Sequence, residues 1–210
     1  MTTAKPVKTV CVFCGSSFGK SQSFADSASK LGELLAARNW GLVYGGGSTG
    51  LMGAVARGSA TNGGYALISR ERTSDNDFND KLKEGIDNHD GSTPLPDSDL
   101  YGKTTLVKDM HTRKRMMGEE ADAFVALPGG YGTLEELMEV VTWHQLNIHS
   151  KPIIVYNLNG FYDSFLKFIE EAIAAEFVSP KNGEIIKVAS TAEEVLEAIE
   201  HYQIPMAAST

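Results

Sequence analysis

The chain has 210 residues, 42% of them hydrophobic and 22% charged, with a formal net charge of −8. That length is enough for one α/β domain with a sizeable core, and the acidic balance argues against nucleic acid or an anionic membrane surface as the main partner. No apolar run approaches membrane-spanning length and Met1–Pro6 lacks a signal-peptide core, so a cytoplasmic location is expected. In chain order, the apolar run Thr9–Phe13 predicts a strand, followed by Gly15-Ser16-Ser17 and a helix from about Ser23 to Arg38. Leu42–Tyr44 predicts a second strand, then Gly45–Gly50 and a helix through Ala60; Tyr65–Ile68 predicts a short third strand. Ser69–Tyr101 is polar, acidic and turn-rich, and is expected to form a long insertion or lid. Thr104–Val107 predicts a strand, Met110–Glu120 a basic helix, and Ala123–Leu127 and Ile153–Tyr156 two buried strands. A helix over Tyr162–Ala175, a strand over Ile185–Val188 and a capped helix over Thr191–Tyr202 complete the chain. This alternation implies a Rossmann-like, doubly wound parallel sheet with helices on both faces, as one nucleotide-binding domain over residues 1–210.

In an open parallel sheet, the loops that follow the strand C-termini converge along one edge, where ligands bind. Three loops here combine a preceding apolar strand, glycines and a following helix: Gly15-Ser16-Ser17, Gly45–Gly50 and Pro128–Thr133. The third is the most informative. Leu127-Pro128-Gly129-Gly130-Tyr131-Gly132-Thr133-Leu134-Glu135-Glu136 is a strand-to-helix turn with three glycines, a hydroxyl and two carboxylates. Backbone N–H groups at the positive end of a helix suit a phosphate, and a carboxylate beside them suggests chemistry on the phosphorylated ligand. Thr133 and Glu136 fit a capping box, with Thr133 as N-cap, which would leave Glu135 as the spare carboxylate. These residues alone do not choose between the two glutamates.

Gly45-x-Gly47-x-x-Gly50 matches the dinucleotide fingerprint, but after the second strand and without the expected acidic partner. Gly15 to Ser21 is one residue short of a P-loop. Arg113-Lys114-Arg115 opens a helix, where cations oppose the dipole, and this favours a role for Arg113 and Lys114 toward a phosphate or ribose. Cys11 and Cys14 are spaced CxxC, but they fall on and just after a strand and face opposite sides, which favours a structural role. The histidines, including His111 and His144 near the presumed site, show no metal-ligand spacing, so no metal is expected. Phe161, Tyr162, Phe165 and Phe168 share one helix face and are expected in the core.

Together these segments resemble the LOG (Lonely Guy) family, the cytokinin riboside 5′-monophosphate phosphoribohydrolases, formerly described as lysine decarboxylases. The PGGxGTxxE signature stands at Pro128–Glu136, and MHxRKxxM stands at Met110–Met117. Cys14–Ser17, Tyr44–Gly53 and Thr142–Leu146 are also similar to family segments. The resemblance implies hydrolysis of the N-glycosidic bond of an adenosine 5′-monophosphate, preferably N6-isoprenoid, giving free base and ribose 5-phosphate. It implies Arg113 and Glu136 as the catalytic pair, and a homodimer whose sites lie near the interface. Substrate contacts are expected from Gly15, Ser16, Gly46, Gly47, Met110, Lys114, Gly129, Gly130, Tyr131, Gly132, Thr133, Leu134, Glu135 and Thr142. No cofactor is expected: no lysine has a recognisable pyridoxal phosphate setting, and the alternative function is a nucleotide or cofactor carrier of the same fold. After Gly64 the chain departs from the family pattern. Tyr65–Ile68 runs directly into Ser69-Arg70-Glu71, as if part of a strand and its loop were absent, and the polar stretch that follows resembles an insertion of some fungal members.

Overall fold

The computed structural model describes residues 6–64, 66–71, 97–107 and 109–204. The strands are β1 (Thr9–Phe13), β2 (Gly41–Tyr44), β3 (Ala66–Glu71), β4 (Lys103–Val107), β5 (Ala123–Ala126), β6 (Ile153–Tyr156) and β7 (Ile186–Ala189). They form one sheet of order β4-β3-β2-β1-β5-β6-β7, and every pairing is parallel. The helices are α1 (Gln22–Ala37), α2 (Gly50–Ala60), α3 (Ser98–Tyr101), α4 (Met110–Glu120), α5 (Tyr131–Gln145), α6 (Asp163–Ala174), α7 (Pro180–Gly183) and α8 (Ala192–Glu200). The strand order reverses at β1, with β2 on one side and β5 on the other. The crevice between their C-terminal loops is the topological switch point, where open α/β sheets bind ligands. Among the described residues no helix is long and apolar enough to cross a membrane.

Period-two alternation along the buried strands divides the core. Val10, Val12, Leu42, Tyr44, Val125 and Ile154 face α1, α2 and α8, where Leu31, Leu35, Val55, Val195 and Leu196 meet them. Cys11, Phe13, Val43 and Phe124 face α4 and α5, where Met117, Leu137 and Val140 close the other layer. Cys11 and Cys14 therefore belong to opposite layers, as expected. Both thiols are free and buried, and burial pushes them well above their ordinary range, which makes them inert. Helices α1 and α2 approach to backbone contact: a Cβ on Gly32 would lie 2.2 Å from the Val55 carbonyl oxygen.

Three expectations need correction. Strand β3 does not stop at Ile68; it runs to Glu71, paired with β2 from Ala66 to Ile68 and with β4 from Leu67 to Glu71. Ladder hydrogen bonds are made by the backbone, so the polar residues Ser69, Arg70 and Glu71 continue the strand regardless of their side chains. The polar stretch 69–101 thus begins in a strand and ends in α3, while residues 72–96 lie outside the described residues. Helix α6 contributes no fully buried residue. Tyr162 is buried and donates from its hydroxyl to the Leu127 carbonyl at 2.6 Å, but Phe161 and Phe168 are 46% and 61% exposed.

Candidate active site

Backbone bonds tie the three glycine loops together. The Gly15 N–H donates to the Pro128 carbonyl at 3.0 Å, the Leu51 N–H to the Gly15 carbonyl at 3.1 Å, and the Thr49 hydroxyl to the Ser16 carbonyl at 3.2 Å. Gly50 lies in the left-handed region at φ +59°, and a Cβ there would fall 2.2 Å from the Ser16 carbonyl carbon. Only glycine permits this junction. Gly15, Ser16, Gly129 and Gly130 line a cavity of about 350 Å³ closed by Phe18, Phe24 and Phe161. Helical periodicity predicts Phe161 in the core, whereas it is 46% exposed and forms part of this aromatic wall.

The start of α5 differs from the capping-box expectation. The N-cap is Gly130, with no side-chain cap, and the Leu134 N–H already donates to the Gly130 carbonyl at 3.1 Å. Thr133 therefore lies within the first turn, buried, and a Cβ on Gly129 would fall 2.0 Å from its hydroxyl oxygen. With Tyr131 as the first helical residue, the N–H groups of Tyr131, Gly132 and Thr133 belong to the unpaired first turn, the geometry that receives a phosphate. Leu134 follows, and Glu135 and Glu136 fall in the second turn, neither of them a cap.

Helix α4 supplies the facing side chains. Asp109 is its N-cap, accepting from the Thr112 N–H at 2.7 Å and from the Thr112 hydroxyl at 3.0 Å. Those hydrogen bonds hold the Asp109 carboxyl below its ordinary range. This carboxylate relieves the conflict between Arg113-Lys114-Arg115 and the helix dipole, a device overlooked in the sequence. Arg113 and Lys114, one residue apart, turn to different carboxylates. Arg113 Nη2 donates to the Gly45 carbonyl at 3.1 Å and lies 3.9 Å from Glu136 Oε1, within ion-pair range but too long for a hydrogen bond. Arg113 Nη1 lies 3.6 Å from Met110 Sδ. Arg113 Nε is buried with no hydrogen-bond partner among the described residues. A Cβ on Gly45 would lie 2.4 Å from Nη2, so the glycine makes room for the guanidinium. Lys114 instead binds Glu135 at 2.6 Å and Glu139 at 3.0 Å.

Burial raises the Glu136 carboxyl above its ordinary range; Arg113 pulls the other way without cancelling it. Burial also presses the Lys114 ammonium toward the neutral form, but its two carboxylates outweigh this and raise its pKa. The arrangement is a partly desolvated carboxylate and a fixed guanidinium beside a helix N-terminus. Such a site can hold an anionic group and stabilise positive charge developing next to it.

Gly15, Ser16, Gly129, Gly130, Gly132 and Thr133 gather around the cradle. Gly46 and Gly47 follow the Gly45 carbonyl that anchors Arg113, and Gly47 packs on Met52. Met110 and Tyr131 lie on the rim, 43% and 94% exposed. Thr142 sits further along α5, its hydroxyl donating to the Met138 carbonyl at 2.8 Å. His144 is not part of this group; its ring pairs with the Tyr202 hydroxyl at 2.9 Å. Among the described residues no His, Cys, Asp and Glu cluster could hold a metal ion.

The family model described as "Possible lysine decarboxylase" matches residues 52–199. A cytokinin riboside 5′-monophosphate phosphoribohydrolase of Arabidopsis thaliana is 43% identical over 202 residues, covering 93% of this chain and 83% of the relative. A second such protein of the same plant is 42% identical over 203 residues, covering 93% and 84%. The molybdenum cofactor carrier protein of Chlamydomonas reinhardtii shares the fold, with a TM-score of 0.65 at 19% identity, over 94% of this chain and 97% of that one. With the family model spanning more than half of its length and such relatives matching nearly all of it, the chain belongs to the family of the LOG (Lonely Guy) cytokinin riboside 5′-monophosphate phosphoribohydrolases.

Proposed function

We infer that this chain hydrolyses the N-glycosidic bond of adenosine 5′-monophosphates, with N6-isoprenoid substrates preferred, and releases the free base and ribose 5-phosphate. The observation that carries this reading is the half-buried Glu136 facing Arg113 at 3.9 Å beside an open phosphate cradle, in a chain whose relatives bear that activity in their names. Breaking the bond from C1′ to the base nitrogen moves the electron pair to the base and leaves an oxocarbenium-like ribose. In our reading the Glu136 carboxylate stabilises that charge and orients the water whose oxygen bonds to C1′. One water proton leaves with the base. Arg113, held by the Gly45 carbonyl, fixes the ligand. Gly129, Gly130, Gly132 and Thr133 take the 5′-phosphate, and this remote binding energy orients the reacting bond.

A decarboxylase built on a lysine Schiff base fits the site poorly. Such a lysine must lose its proton, and Glu135 and Glu139 hold Lys114 protonated. Our reading includes a cytoplasmic homodimer. Met110, Tyr131, Leu146 and Ile148 expose apolar surface along α4, α5 and the end of α5, which supports a second copy covering this face. Mass measurement in solution tests the dimer, and cell fractionation tests the location. The activity is tested by incubating the protein with AMP and with isopentenyladenosine 5′-monophosphate and following the free base by chromatography. Release supports the enzyme; binding without release would establish a carrier instead.

A further inference from the structure

We propose that Lys114 is a positioning residue of this site: by holding Glu135 and Glu139 it locks α4 onto α5 and reserves Glu136 as the carboxylate that meets Arg113. The proposal rests on the hydrolytic reading above. Three carboxylates stand on adjacent turns of α5, and two neighbouring cations of α4 sort them. Glu135 and Glu139 are four residues apart and therefore share one side of the helix, whereas Glu136 is turned about 100° from Glu135 and about 60° from Glu139. Lys114 takes the first two at 2.6 and 3.0 Å, and Arg113 is left with the third. The Lys114 side chain is only 12% exposed, in contrast to the 65% of Arg115, whose pair with Glu119 stays within α4. With its donors directed to two carboxylates, Lys114 is committed to the helix interface rather than presented to the cavity.

The cluster also sets the field at Glu136. Among the described residues the charged groups that face it are Arg113 and Lys114 from α4 and Glu135 and Glu139 from α5, while the thiols of Cys11 on β1 and of Cys14 just after it lie nearby. Lys114 with its two carboxylates carries a net charge of −1. Without the ammonium it would carry −2, and Glu136 would hold its proton to higher pH. A lysine that contacted the substrate phosphate would behave differently. Its loss would raise KM and leave both kcat and the acid limb of the pH profile in place.

The test uses the full chain with isopentenyladenosine 5′-monophosphate, measuring kcat, KM and the acid limb of kcat/KM. Lys114→Met should lower kcat about tenfold, change KM less than about threefold, and move the acid limb up by about half a unit to one unit. Lys114→Arg should restore the limb. Lys114→Met combined with Glu139→Gln returns the cluster to a net charge of −1 and should bring the limb back toward wild type. Glu139→Gln alone, which keeps the Lys114–Glu135 pair, should move the limb down, so the test does not depend on the stability of Lys114→Met. A rise in KM with kcat and the limb unmoved, or a limb indifferent to all four variants, would overturn the proposal. If the wild-type chain releases no base, it is the hydrolytic reading that fails.

Discussion

Gly45→Ala probes the site without touching either of its charges. A Cβ at position 45 would lie 2.4 Å from Arg113 Nη2, about 1 Å inside ordinary contact. The obstacle is the far end of a flexible side chain, so the guanidinium withdraws and the backbone stays. Withdrawal by that amount breaks the 3.1 Å bond to the Gly45 carbonyl and carries Nη2 away from its place 3.9 Å from Glu136. Losing one hydrogen bond from a charged donor costs about 1.5–3 kcal/mol, and the chain remains folded. A misplacement of about 1 Å at a reacting centre costs on the order of 100-fold in rate. We therefore expect kcat for base release to fall about 100-fold, with a smaller rise in KM from the lost Arg113 contact, because the cradle at Gly129–Thr133 is untouched. Steady-state kinetics by chromatography of free base, beside a thermal melt, measures both quantities. A variant that melts normally and keeps kcat within about threefold of wild type would refute the claim that Gly45 positions Arg113 for catalysis.

Glu136→Gln should reduce kcat about 100- to 1,000-fold, the scale of losing a preorganised electrostatic partner of the transition state. Its melting temperature should equal or exceed that of wild type, since burial raises the Glu136 carboxyl and a neutral amide avoids the cost of burying its charge. That advantage should shrink as pH falls and Glu136 takes up its proton; an advantage independent of pH would contradict the assignment. Glu136 acts as the anion, and burial favours its protonated form, so the acid limb of kcat/KM should lie above the ordinary glutamate value of about 4.3. A limb at or below that value would count against Glu136 as the group observed. Gly50→Ala, at φ +59° and 2.2 Å from the Ser16 carbonyl carbon, should destabilise the chain by at least about 2 kcal/mol. Calorimetry showing an unchanged melting temperature would contradict the described junction.

The sheet was legible because its strands are buried on both faces and read as continuous apolar runs: Val10–Phe13, Leu42–Tyr44, Ala123–Ala126 and Ile153–Tyr156 stand where the apolar pattern places them. The three glycine loops were legible for the same reason, since each had to follow such a strand. Thr133 was misplaced because the pattern of a hydroxyl three residues before a carboxylate also occurs inside a helix, and the glycine turn starts α5 earlier at Gly130. Strand β3 was cut short because backbone pairing with β4 alone carries Ser69–Glu71 without an apolar signal. The sorting of Arg113 to Glu136 and of Lys114 to Glu135 and Glu139 depends on how α4 lies against α5, over separations of 21 to 25 residues. No local spacing encodes it. The carbonyl of Gly45 reaches Arg113 across 68 residues, and neither that contact nor the aromatic wall made by Phe18, Phe24 and Phe161 has a local signal in the sequence.

The central claim is that Glu136 and Arg113 break an N-glycosidic bond. Following isopentenyladenosine 5′-monophosphate by NMR, with wild type and Glu136→Gln in parallel, tests it most directly. The account predicts free base and ribose 5-phosphate in equal amounts from the wild type, and retained binding with negligible release from the folded variant. Intact nucleotide recovered from the wild type, or equal rates from the two proteins, would contradict it.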